Sequence, residues 1–159
     1  MHGEPIETHE WLQRLVGDWT FEMEAAGAAG EPPMKIGGRE SVRLLGGTWA
    51  LCEGRDTDDT DGGSTLMTLG YDREKGRFQG TFIGAMMTHI WIYDGQLDAS
   101  GTTLTLDTDG PSYEQEGTTA RYQDTIEFRS DDHRVLTSRF LGGDGQWKHF
   151  MTAHYRRAA

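Results

Sequence analysis

Cysteine is almost absent from this chain. The single thiol, Cys52, rules out an internal disulfide and fits a reducing compartment. Long apolar runs are missing too: no stretch approaches the roughly 18 consecutive apolar residues of a membrane-spanning helix. Positive charge is in short supply, with 15 Lys and Arg against 26 Asp and Glu and a formal net charge of −11. Such a surface repels phosphate backbones and anionic lipid, so neither nucleic acid nor a membrane is expected as a partner. The opening residues, MHGEPIETHEW, have neither the basic nor the apolar region of a signal peptide. The expected location is the cytoplasm.

What is present is ordinary for a globular protein, with 35% hydrophobic and 26% charged residues. At 159 residues the chain is long enough for one domain with a proper core, spanning residues 1–159. Its 22 glycines stand between apolar runs as punctuation, without a fixed period, which suits turn-rich all-β structure.

The central stretch, residues 67–93, organises the rest. Three β-rich runs follow one another: the first ends at Tyr71, the second covers residues 77–83, and the third climbs through His89, Trp91 and Tyr93. Asp72-Arg73-Glu74-Lys75-Gly76 supplies a hairpin turn between the first two. Upstream, residues 8–16 read as a short helix capped by Thr8 and stopped by Gly17, with Trp11, Leu12, Leu15 and Val16 on one side. A helix this short needs a sheet to lie against. From Asp18 the period changes to two: Trp19, Phe21, Met23 and Ala25 alternate with polar residues.

Further strands are expected at 39–45, 48–55, 65–71, 77–83, 88–93, 103–107, 120–129, 134–141 and 147–156. Between them lie turn residues such as Gly46-Gly47, Asp94-Gly95, Asp109-Gly110-Pro111 and Gly142-Gly143-Asp144-Gly145. About ten antiparallel strands with short links point to a closed up-and-down β-barrel behind a short N-terminal helix, because closure removes exposed edges. A two-sheet sandwich is the rival.

Leu15-Val16-Gly17-Asp18-Trp19 resembles the glycine-x-tryptophan signature that opens the first strand of lipocalins and their calycin relatives. The resemblance implies that Trp19 closes the barrel's base under an arginine from the last strand, Arg156 or Arg157. More broadly, HEWLQRLVGDWTFE, LGGTW, MTLGYDREKGRFQGTFIG and TSRFLGGDGQWKHFMTAHYRR together resemble the bacterial domain-of-unknown-function-1579 family over nearly the whole chain. That family implies a small calycin-like, lipocalin-like barrel and brings no established catalytic residues.

Alternation places Trp19, Phe21 and Met23, then Met67, Leu69 and Tyr71, then Phe78 and Phe82 on the inward face. His89, Trp91 and Tyr93, and Tyr122, Asp124, Ile126 and Phe128, complete it. Aromatic walls with polar edges and adaptable methionines suit an apolar or amphipathic guest, although such residues also simply fill small barrels. The ligand-contacting set expected on this basis is Trp19, Phe21, Met67, Tyr71, Phe82, His89, Trp91, Tyr93, Tyr122, Asp124 and Phe128. Ile90 and Ile92 make the other face of residues 88–93 apolar as well, so the helix or a second subunit could cover it, making a homodimer one option.

His89 and Asp124 are the polar pair of interest: a carboxylate can fix an imidazole's tautomer and raise its pKa, with Tyr93 orienting a substrate. A structural hydrogen bond, or Asp124 paired with Arg139, is the plainer account. His149 and His154, five apart on one strand, point to opposite faces unless a bulge intervenes. Haem is a further option through His89, His149 or His154 as proximal ligand. The acidic run from Asp56 fails as an EF-hand, with Asp61 where glycine is required and Met67 where glutamate is. The leading expectation is a non-enzymatic binding barrel. The alternatives are an acid–base enzyme, a haem protein, and a structural or oligomerising barrel. Residues 27–33 and 84–87 are expected to form its mouth.

Overall fold

The computed structural model describes residues 7–27, 30–57 and 63–158, with side chains from Glu10 onward. Residues 58–62 of the acidic run, Ala28 and Ala29 of the first connection, and the Thr8 side chain lie outside the described residues. The chain runs α1 (Glu7–Gln13), β1 (Gly17–Ala25), β2 (Met34–Leu45), β3 (Trp49–Asp56), β4 (Thr65–Asp72) and β5 (Arg77–Gly84). It continues through β6 (Trp91–Leu97), β7 (Thr103–Pro111), β8 (Thr119–Ser130), β9 (His133–Leu141) and β10 (Trp147–Arg157). Every strand pairs antiparallel with the next, and β10 returns to β1, so the sheet is a closed ten-strand barrel rather than a sandwich. Among the described residues no helix is long and apolar enough to cross a membrane.

One end of the barrel is plugged. α1 is short, and its last turn tightens into i→i+3 bonds, Leu15 N–H to Leu12 O and Val16 N–H to Gln13 O, both 3.1 Å. This leaves Trp11, Leu12 and Leu15 buried while Val16 turns outward, against expectation, because the chain has by then left helical geometry. Trp11 meets Phe78 and Phe128 edge-on at 5.9 and 5.4 Å, and Tyr71 packs on Phe78 at 5.1 Å. The Trp19 indole donates to Leu15 O at 2.8 Å, tying the first strand to the plug. Arg157 completes the closure. Its guanidinium lies 4.3 Å from the Trp19 ring centroid and donates to the carbonyls of Arg14, Val16 and Asp131. Arg156 instead sits opposite Thr20 on the outer face.

Several boundaries differ from those the sequence suggests: α1 ends at Gln13 rather than residue 16, β2 begins at Met34 rather than residue 39, and two further differences have one cause. Asp94-Gly95 lies within β6 and Asp109-Gly110-Pro111 within β7; neither is a turn. Both glycines face inward where a neighbour's side chain takes the space. A Cβ at Gly95 would stand 2.8 Å from Leu106 Cδ2, and one at Gly110 would stand 2.1 Å from the Trp91 ring. The last difference is at the start of β6. It begins at Trp91 rather than residue 88, so His89 precedes the strand. The outward Ile90 and Ile92 are 50% and 66% exposed, and α1 contacts β3 and β4 instead.

Candidate functional site

Above the plug the barrel is hollow. A cavity of about 350 Å³ occupies the interior, bounded along its sides by Met67, Phe82, Trp91, Ile126, Leu136 and Met151. Met86 and Tyr113 also line it while being 56% and 71% exposed, so it reaches solvent at the end away from the helix. Two local features shape that end. Trp91 is held by an Nε1–H bond to Met87 Sδ at 3.3 Å and by edge contacts to His89 and Tyr122 at 4.7 and 4.9 Å. In β10 the register with β9 shifts between His149 and Met151, a β-bulge that brings Phe150 to the cavity as well as Met151.

The inner end is polar. Arg134, only 3% exposed, donates to Glu40, and its guanidinium lies 3.9 Å from the Tyr155 ring centroid and 4.8 Å from that of Trp19. Cys52 borders the same space, its thiol pushed up by burial first and by the Glu40 charge second. Burial raises the Tyr155 hydroxyl for the same two reasons. Higher on the wall, Tyr93 donates to Asp124 Oδ2 at 2.5 Å and Ser138 hydrogen-bonds the same carboxyl. Desolvation raises Asp124 above the usual carboxylate range against the pull of those two bonds. Tyr93 is pushed well above the ordinary phenol range, by burial and then by Asp124's charge. Near the mouth Tyr122 donates to Pro111 O, and burial pushes its hydroxyl up to about 12.

Of the residues singled out from sequence, Phe21, Met67, Phe82, Trp91, Tyr93, Tyr122 and Asp124 border the cavity. Trp19, Tyr71 and Phe128 belong to the plug beneath it. The His89–Asp124 pair is not formed. His89 stands ahead of β6 with Nε2 3.2 Å from Asp109 O, and Asp124 is served by hydroxyls. Arg139 is no partner of Asp124 either; it bonds Gln123 and lies over Trp147.

The bulge puts His149 and His154 on the same outer face. There His149 Nε2 meets Thr152 Oγ1 at 2.7 Å and His154 Nδ1 meets His133 Nε2 at 2.9 Å. None of the three histidines considered for haem borders the cavity, so the residues present do not fit a histidine-held haem inside it. Among the described residues no three His, Cys, Asp or Glu side chains gather as a metal set. A second hollow, about 640 Å³, lies outside the barrel over Gly37 and Gly38, between Glu22, Arg39, Arg55, His154 and Arg156. Those positions face solvent, so it is a surface depression and not an enclosed site.

Sequence reasoning missed two groups of lining residues: apolar ones, among them Ile36, Leu136, Phe150, Met151 and Tyr155, and the polar Glu40, Cys52, Thr108, Arg134 and Ser138. In β9 the inward set is Arg134, Leu136, Ser138 and Phe140, two of four polar, so alternation gave no signal. For Thr108 a signal existed, since it continues the inward series Leu104 and Leu106.

The chain is matched over residues 4–157 by the family model described as protein of unknown function, DUF1579. No curated protein sequence matches it. Among solved structures it is similar to Rv2717c from M. tuberculosis, with TM-score 0.65 and 14% identity over 98% of this chain and 100% of that one. It is also similar to the S-type phycobiliprotein lyase CPES from Guillardia theta, with TM-score 0.57 and 16% identity over 97% of this chain and 94% of that one. At such identities the likeness shows a shared barrel fold.

Proposed function

The chain belongs to the DUF1579 family, whose description assigns no activity, and on that premise we propose that the barrel is a binding module for a small hydrophobic or amphipathic molecule. One observation carries the proposal: an interior of about 350 Å³, open at one end, apolar along its sides and polar at its base. Binding pockets of small molecules have that character and start near that size. A barrel packed solid by its own side chains would have no such volume. The acid–base alternative needed an imidazole beside Asp124, and hydroxyls occupy that place.

The test is titration with 1-aminoanthracene, a small neutral fluorophore, read by energy transfer from the tryptophans. Saturable 1:1 binding is expected. It should be lost in Met67→Trp and Leu136→Trp, which add bulk inside, once circular dichroism shows that both variants fold. Absence of saturable binding, or binding indifferent to both substitutions, sinks the proposal. Native mass spectrometry of protein taken gently from its host, beside a denatured control, would weigh any guest it carries.

A further inference from the structure

Accepting that binding reading, the inner end of the cavity restricts the guest's head group. Arg134 is the obvious anchor for an anion, being the one cation among the described residues that border the cavity. Its charge is already answered. One Nη2–H donates to Glu40, and the planar group lies over the Tyr155 and Trp19 rings. The same lining contains three carboxyl groups, Glu40, Asp56 and Asp124, so the interior has no positive charge to spare. A carboxylate entering here would meet Glu40 at the guanidinium it seeks, in a site where burial strengthens like-charge repulsion.

What the inner end does have is an unmet donor. Arg134 Nε–H is buried and has no hydrogen-bond partner among the described residues. A buried donor without a partner carries a desolvation cost that an acceptor oxygen removes, and a hydroxyl or carbonyl does so without bringing charge. Thr108 Oγ1 is the other buried, unpartnered polar atom among the described residues of the lining. Thr108 pairs with Tyr122 on β8 and Arg134 with Phe128, six residues along that strand or about 20 Å. The two therefore do not serve one head; Thr108 marks a second polar contact nearer the mouth.

We propose that the cavity selects a neutral amphiphile whose hydrogen-bond-accepting head seats at Arg134, and discriminates against carboxylates of the same chain length. At the share of about 30 Å³ that a water holds in the liquid, 350 Å³ accommodates roughly a dozen water-sized groups, which matches a ten-carbon probe.

The probes are 1-decanol and decanoate, titrated calorimetrically at pH 8 into the full chain and into Glu40→Gln, both below the concentration at which either probe forms micelles. Decanol is expected to bind the parent protein at least tenfold more tightly than decanoate. Any greasy hole prefers the alcohol to some degree, so the variant decides. Glu40→Gln keeps an acceptor for Arg134 but frees its charge, and decanoate should then gain at least tenfold while decanol changes less than threefold. Should Glu40→Gln fail to fold, the double variant Glu40→Met with Arg134→Met removes the head-group site instead, and decanol should then bind at least threefold more weakly; unchanged decanol binding overturns the selection. Equal binding of both probes by the parent, or an unchanged ratio in the variant, overturns the head-group selection and leaves the binding reading intact. Silence from both probes in both proteins overturns the binding reading, and this inference with it.

Discussion

Replacing Gly110 by alanine sets two known effects against each other, and the sign of the result tests the packing of the mouth. Gly110 sits in β7 with a backbone that any residue adopts, since it has no positive φ. With free space around it, alanine would stabilise the fold by about 0.4–1 kcal/mol, through the entropy it removes from the unfolded chain. The space is taken. A Cβ there would stand 2.1, 2.2 and 2.9 Å from Cζ3, Cη2 and Cε3 of Trp91, inside the distance real Cβ atoms tolerate. The indole is fixed from three sides by Met87, His89 and Tyr122, so it cannot swing away freely. Overpacking of this kind costs about 1–3 kcal/mol. The net expectation is a loss of about 1–2 kcal/mol. At this chain length that lowers Tm by several degrees, at about 2–4 °C per kcal/mol.

Urea titration followed by tryptophan fluorescence measures it, with the midpoint falling at constant slope. Trp91→Phe removes the clashing outer ring, so alanine at 110 should cost far less in that background, a coupling of about 1 kcal/mol. A midpoint that stays or rises in Gly110→Ala, or the absence of coupling, would show that the indole does not occupy this space.

Four further expectations rest on other parts of the molecule. Asp124→Asn keeps an acceptor for Tyr93 and removes the titration. Because burial raises the folded-state pKa, the native form holds its proton more tightly, and wild-type stability from this group is full below the ordinary carboxylate range and declines as pH rises through the raised value. The urea midpoint of the variant should therefore gain on wild type with rising pH, and the opposite trend would refute the burial argument. Arg134→Met strands Glu40 and should cost about 3–5 kcal/mol, whereas the double variant Glu40→Met with Arg134→Met should recover most of it in equilibrium unfolding. Arg157→Lys cannot fork across three carbonyls and should lose about 1–2 kcal/mol, read as a lowered thermal midpoint. Ile92→Thr, at a position 66% exposed, should leave monomer stability within about 0.5 kcal/mol; a larger loss would reveal a covering surface.

The barrel was legible because its signals are local. Trp19, Phe21 and Met23 alternate with Thr20, Glu22 and Glu24, and the structure follows that alternation residue by residue from β1 into its pairing with β2. Gly76 after Asp72 ends the β4–β5 hairpin where turn chemistry requires, with φ of 65° and the Asp72 carboxylate accepting from Glu74 and Lys75 N–H. Glycine is where local reading failed. Gly95 and Gly110 have the neighbours of turn residues, Asp94 and Pro111, yet their smallness serves side chains from other strands, Leu106 and Trp91. That cause is tertiary, and nothing within a few residues of either glycine carries it.

The same distinction explains why much of the apolar wall could be anticipated and the polar base could not. An apolar residue at an inward position announces itself, since period-two alternation against polar neighbours is the mark of a half-buried strand. Arg134 at an inward position looks like any solvated arginine, and Glu40, between Arg39 and Ser41, like one more surface acid. Each is tolerable inside only because of the other, and they are 94 residues apart in the chain. Removing water from one without the other would be prohibitive, so the pair had to arise from two positions whose coupling only barrel closure creates. Closure brings β2 and β9 across from each other through β1 and β10, and the base of the cavity is made in that step. The polar base of the cavity therefore depends on the register around the whole ring, whereas each alternating apolar position in its wall is marked within its own strand.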